Sequence, residues 1–137
     1  MVKLAIFTIF FLTSTSTSED LAYLKMGIAK LKSGRYYEAI AYLDSAITLN
    51  PRLPKAYLFR GKAKSEIAKM ELVNFDRTPK FNFYSEDAIK DFNKSLELDA
   101  NDSQTYFERG QLRGFLYDKS GRLKDYNQAI KLNPKYK

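Results

Sequence analysis

The chain has 137 residues, 45% of them hydrophobic and 28% charged, with a formal net charge of +7. That is about one domain of folded soluble protein rather than a disordered segment. It holds neither Cys nor His, which excludes disulfides, thiolate nucleophiles, imidazole bases and the zinc sites built on them. The charge is unevenly spread. Eight basic and three acidic residues lie between Arg52 and Lys80, and seven acidic and two basic between Glu86 and Glu108. One region could therefore attract the opposite region of another copy, or an acidic partner.

Residues 1–18 begin with Met1-Val2-Lys3, continue through Leu4 to Leu12 with Thr8 as the one polar residue, and end in the run Thr13 to Ser18. A basic start, a short apolar stretch and small residues make the pattern of a secretory signal peptide, with Ser16 and Ser18 as candidates before the cut. It predicts an exported protein, extracellular or in the cell envelope. Nine residues make a helix of roughly 14 Å against a bilayer core of about 30 Å, too short to span it. The usual alanines are missing at the cut, which leaves a second reading open. The segment could be retained and dock against the fold or another copy, as a helix or, being rich in Ile, Phe and Thr, as a strand.

Beyond this segment, apolar residues recur at the helical period. Leu21, Leu24, Ile28 and Leu31 define a helix over Asp20 to Lys32, broken at Ser33-Gly34-Arg35, because Gly takes the left-handed geometry that ends helices. Ala39, Leu43, Ala46 and Ile47 define a second helix from Tyr36 to Leu49, stopped by Asn50-Pro51. Pro54 opens a third. Ser85, followed by Glu86 and Asp87, reads as the N-cap of a fourth that runs to about Leu98. Asp102 or Ser103 caps a fifth reaching about Asp118, and Arg122 to Leu132 forms the last.

These helices fall into three copies of one pattern. Tyr23, Gly27, Ala46, Leu49 and Pro51 correspond to Tyr57, Gly61, Ser95, Leu98 and Ala100, and to Tyr106, Gly110, Ala129, Leu132 and Pro134. The Tyr and Gly columns recur at 34 and then 49 residues, the Leu and Pro/Ala columns at 49 and then 34. One 34-residue repeat with a 15-residue insertion in its middle copy produces both spacings, and a fixed period of this kind means stacked repeats. The repeats run over about 20–53, 54–102 and 103–137, within a domain of residues 19–137.

With an aromatic residue, Gly four positions later, Gly at the turn (Gly34), Tyr36, small residues at the helix crossing (Ala39, Ala46) and Pro51, the pattern resembles the tetratricopeptide repeat family. The resemblance covers Asp20 to Lys137. It implies an all-α, right-handed α-solenoid of three helix-turn-helix repeats with a concave groove, non-enzymatic, that binds other proteins or peptides. By that resemblance the groove is lined by the first helix of each repeat: Leu21, Leu24, Ile28 and Leu31; Lys55, Leu58, Lys62 and Ser65; Gln104, Phe107, Gln111 and Phe115. It would be apolar at one end, basic in the middle and polar-aromatic at the other, suiting an extended peptide with acidic and apolar residues. The third copy departs from the pattern. Arg122 stands where Ala39 and Ala88 stand, and its turn glycine, Gly121, comes late, as if its first helix were a turn longer and its second a turn shorter.

Two irregularities are specific to this chain. Arg60 and Arg109 occupy the column that holds Met26, and Asp91 and Asp125 the column that holds Tyr42. The covariation predicts salt bridges Arg60–Asp91 and Arg109–Asp125 between paired helices; the plain alternative is four solvated charges. The insertion lies within Ala68 to Tyr84. Ile67, Met70, Glu71 and Val73 read as a continuing helix, and Asn74 to Tyr84 as a loop carrying Phe75, Phe81, Phe83 and Tyr84. Four aromatics predict either a contact surface for a partner or another copy, or a local core.

No cofactor, metal, catalytic constellation, phosphate loop or nucleic-acid interface is implied. Acidic pairs such as Glu86/Asp87 sit at helix starts, where the helix dipole explains them, and Tyr57 falls in a packing column. Two functions remain. One is an exported scaffold that binds a partner segment in its groove. The other is a self-assembling subunit of an extracellular filament or sheath, formed by head-to-tail stacking of repeats and docking of the apolar N-terminal segment.

Overall fold

The computed structural model describes residues 18–73 and 76–137. The signal-like segment, apart from Ser18, and Phe75 lie outside the described residues. The first helix, α1, spans residues 18–32. It is followed by α2 (Tyr36–Leu49), α3 (Pro54–Met70), a short hairpin of β1 (Leu72–Val73) and β2 (Asp76–Arg77), α4 (Pro79–Leu98), α5 (Ser103–Phe115), α6 (Lys119–Leu132) and a 3₁₀ turn at Pro134–Tyr136. No helix among the described residues is long and apolar enough to cross a membrane.

The helices pair as α1/α2, α3/α4 and α5/α6, and the pairs stack. Small residues set the closeness of each pair. A Cβ at Gly27 would meet the Leu43 side chain, one at Gly61 the Phe92 ring and one at Gly110 the Tyr126 ring, all at 3.0 Å or less. Gly34, at φ 75°, turns the chain from α1 into α2 in the left-handed region that glycine favours. One core cluster joins the first two pairs through Leu24, Leu31, Ala39, Leu43, Ala46, Ala56 and Ala63. A second joins the last two through Leu58, Ala88, Phe92 and Leu112.

The insertion differs from the sequence expectation. Helix α3 ends at Met70, and the chain forms an antiparallel ladder with Leu72 opposite Arg77 and Val73 opposite Asp76. Helix α4 then starts at Pro79, six residues ahead of Ser85. Its cap is Thr78, whose Oγ1 accepts the Phe81 N–H at 3.0 Å, with Pro79 favouring the first turn. Ser85 is inside the helix, and its hydroxyl donates to the Phe81 carbonyl at 2.7 Å. Phe81, Phe83 and Tyr84 are therefore helical, not loop, residues. The physical reason is burial: Phe81 is 0% exposed, and removing a whole aromatic side chain from water outweighs the competing cap at Ser85.

The third pair also differs. Helix α5 ends at Phe115, and α6 has 14 residues, as many as α2. The left-handed residue is Tyr117 at φ 60°, not a glycine. Asp118 caps α6 by accepting the Gly121 N–H at 2.8 Å, so Gly121 lies in the first turn of the helix and not in the inter-helix turn. Arg122 is accommodated by leaving the crossing: its aliphatic chain runs beside Gly114, and its guanidinium lies 5.3 Å from the centre of the Tyr126 ring.

Candidate functional site: an apolar pocket on the inner helices

The first helices of all three pairs meet at one pocket of about 400 Å³, within the range of about 300–1,000 Å³ usual for ligand sites. Ile28, Leu31 and Lys32 come from α1, Phe59, Lys62 and Glu66 from α3, and Gln104 from α5; Tyr36, at the start of α2, closes one side. Ile28, Leu31, Tyr36 and Phe59 make its floor and walls apolar. They are held in place because their other faces pack on the core shared by the first two pairs.

Apart from Lys32, the charges around this pocket are paired among the described residues. Lys62 donates to the Glu108 carboxylate of α5, and Lys55 donates to the Asp102 carboxylate at 3.1 Å. Glu108 and Asp102 side chains are each only 10% exposed. Glu66 accepts from Lys69 at 2.7 Å. Burial, with the nearby carboxylates of Glu108 and Asp102, pushes the Tyr136 phenol above its ordinary range, so the hydroxyl stays neutral beside this charged seam. The middle of the inner surface is thus charge-balanced, not basic as the composition of α3 alone suggests.

The remaining inner-helix positions divide between core and surface. Leu58 is 0% exposed, within the second core cluster, and Leu24 and Ser65 are also buried. None of the three lines the pocket. The Phe107 ring is stacked between Tyr126 and Tyr136, with centroids 5.5 Å and 4.6 Å away. Gln111 and Phe115 line a separate recess of about 380 Å³ with Gly114, Arg122 and Tyr126. Ile28, Leu31, Lys62 and Gln104 converge on the main pocket. Lys32, Tyr36, Phe59 and Glu66 complete it without having been assigned to the groove from the sequence. Phe59 follows Leu58 directly, and the helical stripe assigned the wrong one of the two neighbours to the groove.

Arg60 grips Asp91 through two hydrogen bonds, Nε to Oδ2 at 2.9 Å and Nη2 to Oδ1 at 2.6 Å. Arg109 does the same to Asp125 at 2.9 Å and 2.7 Å. Each arginine also reaches the second helix of the preceding pair: Arg60 donates to Asp44 at 2.6 Å, and Arg109 to Asn93 at 2.7 Å. A second cation joins each carboxylate, Lys64 to Asp91 at 2.8 Å and Arg113 to Asp125 at 2.8 Å. Burial opposes the charge on Arg60, but Asp91 and Asp44 outweigh it and hold the guanidinium above its ordinary pKa. These ion pairs tie each helix pair together and link it to the second helix of the preceding pair. They are not themselves open to a ligand.

The insertion divides its aromatics. Phe81 forms local core, with the Arg77 guanidinium 5.8 Å from its ring centre. Phe83 is 63% exposed and lies edge-on to Tyr84, with centroids 5.3 Å apart. Tyr84 in turn meets Tyr37 of α2 at 6.3 Å. Burial and the neighbouring Tyr37 push the Tyr84 phenol up. Phe83, Tyr84 and Tyr37 form an aromatic edge on the second helices, α2 and α4.

Three stacked helical hairpins with small residues at each crossing and a pocket on the inner helices define an α-solenoid. The family model of the tetratricopeptide repeat matches residues 21–53, and the fold repeats the same unit twice more. The chain has the fold of a three-repeat tetratricopeptide α-solenoid, and its first repeat matches the family model. Among solved structures it is similar to the Arabidopsis OM64 TPR domain, at 21% identity over 88% of this chain and 87% of that one, with a TM-score of 0.74. It is similar to the second TPR domain of human RPAP3 in complex with the HSP70 peptide SGPTIEEVD, at 22% identity over 87% of each chain and a TM-score of 0.71. It is also similar to the first TPR of Spaghetti (RPAP3) bound to the HSP90 peptide SRMEEVD, at 22% identity over 85% of this chain and 81% of that one, with a TM-score of 0.71. No curated protein matches it by sequence.

Proposed function

We propose that this protein is a non-enzymatic interaction scaffold that holds an extended segment of a partner protein on its inner helices. The observation that carries the reading is the pocket itself. Residues from all three inner helices converge on one apolar recess, on a fold whose structural neighbours include peptide complexes. We further propose that residues 1–18 direct its export, so that the partner is extracellular or in the cell envelope.

Selection of random octapeptides on the full chain tests the binding reading. Enriched peptides that lose binding when Gln104→Trp fills the pocket mouth support it, and no enrichment refutes it. Fusion of residues 1–18 to a leaderless secreted reporter tests export. Reporter retained inside the cell refutes that part alone.

Self-assembly is a second reading, favoured by apolar side chains on the outer flanks of the stack. Met26 on α1 is 44% exposed and Leu123 on α6 is 62% exposed. Light scattering across a concentration series decides it: a monomer at every concentration rules it out.

A further inference from the structure

We infer that the pocket on the inner helices selects a neutral segment anchored by one large apolar or aromatic side chain, and discriminates against acidic segments. The inference rests on the proposed binding role and names the partner class for that same site.

Of its eight lining residues, Ile28, Leu31, Tyr36 and Phe59 are apolar or aromatic, and two of the three charged ones are already held in ion pairs. Lys62 is engaged by Glu108, and Glu66 by Lys69. Lys32 is the lining cation with no carboxylate partner among the described residues. A ligand carboxylate that takes Lys62 must displace Glu108, whose side chain is 10% exposed. One carboxylate would be exchanged for another, and the displaced one would be left in a poorly solvated position, a penalty the exchange does not return. Lys55 is closed off in the same way by Asp102. Glu66 occupies Lys69 in turn, so that cation too is not free for an acidic ligand.

Apolar anchors meet none of these costs. Four side chains already positioned by the core lose water when such an anchor enters. Gln104, half-buried at the α5 side, offers both a donor and an acceptor to a ligand backbone. The two peptides bound by the neighbouring structures end in Glu-Glu-Val-Asp, the chemistry this lining disfavours.

The test uses the full chain, random octapeptides on display, and synthetic SRMEEVD as the acidic probe. The selected peptides should converge on a Leu, Ile, Phe, Tyr or Trp anchor with net charge near zero. Affinity of the best should change by less than about twofold between about 50 and about 500 mM NaCl, since screening acts on unpaired charges. SRMEEVD should bind at least about tenfold more weakly, a gap of about 1.4 kcal/mol. Glu108→Gln releases Lys62 and should tighten SRMEEVD by about fivefold, by removing the competing carboxylate. Circular dichroism melting verifies that this variant is folded, and Glu66→Gln, at the pocket rim, provides a second variant whose effect should have the same sign.

An acidic consensus, or affinity that falls tenfold or more with salt, overturns this inference while leaving the binding role intact, provided Gln104→Trp still blocks the site. Peptides insensitive to Gln104→Trp, or no peptides at all, overturn both.

Discussion

The first repeat contains a natural apolar version of the ion pairs in the other two, and this predicts the outcome of transplanting it. Asp91 is 4% exposed and accepts from Arg60 and Lys64. Asp91→Ala leaves both cations without their main partner, although Arg60 keeps Asp44 and Lys64 keeps Asp87. Breaking a fully buried pair costs about 3–5 kcal/mol; the retained partners and partial exposure of Arg60 reduce this to about 2 kcal/mol. For a domain of this size that is a fall in Tm of roughly 6–8 °C. In the first repeat Met26 and Tyr42 replace the pair, Tyr42 packs 6.3 Å from Tyr23, and Lys30 bonds Glu38 as Lys64 bonds Asp87. The double variant Arg60→Met/Asp91→Tyr should therefore recover most of the loss and melt within about 1 kcal/mol of the parent, as buried ion pairs replaced by packed apolar groups do. Thermal and urea unfolding of the parent, Asp91→Ala and the double variant provide the comparison. A double variant as unstable as Asp91→Ala would refute the claim that the repeats are interchangeable units at this site.

Phe81→Ala should cost about 3–5 kcal/mol in urea unfolding, because the ring is wholly buried beneath the insertion; Phe83→Ala, on the exposed edge, should cost within about 0.5 kcal/mol. Gly110→Ala should destabilise by about 1–3 kcal/mol, since its Cβ would lie 2.7 Å from the Tyr126 ring. Burial works against the charged form of Asp87, but the hydrogen bond and charge of Lys64 outweigh it and hold the carboxyl below its ordinary value. A carboxyl depressed in the fold stabilises above its unfolded pKa, and that stabilisation is lost as pH falls through the folded value. Stability should thus be level near neutrality and decline below about pH 4, with a smaller decline in Asp87→Asn.

The repeat columns carried the fold because each records a packing constraint that recurs: a glycine where helices touch, a tyrosine against its partner helix, an Arg with an Asp. Arg60 and Asp91 are 31 residues apart, yet their covariation with Met26 and Tyr42 exposes the contact. The insertion was less legible because it occurs once. Thr78-Pro79 and Ser85-Glu86-Asp87 are comparable start signals, and what chooses between them is the burial of Phe81 in three dimensions. The turn at Tyr117 was hidden by Gly121, a nearby residue that suits a turn but sits in the first turn of α6. The pocket chemistry was the least legible. Lys62 and Glu108 belong to different columns of successive repeats, so no periodicity links them, and a basic α3 reads as a basic groove until α5 is seen to supply the carboxylates. Similarly, only the crossing angle tells Leu58 in the core from Phe59 at the pocket.

The most direct test of the account is a backbone amide NMR titration of the full chain with the tightest octapeptide from the selection. Binding on the inner helices predicts saturable shifts concentrated at Ile28, Leu31, Lys32, Phe59, Lys62 and Gln104, with the aromatic edge at Tyr37 and Phe83 unmoved. Shifts centred on that edge, or on Met26 or Leu123, would contradict it.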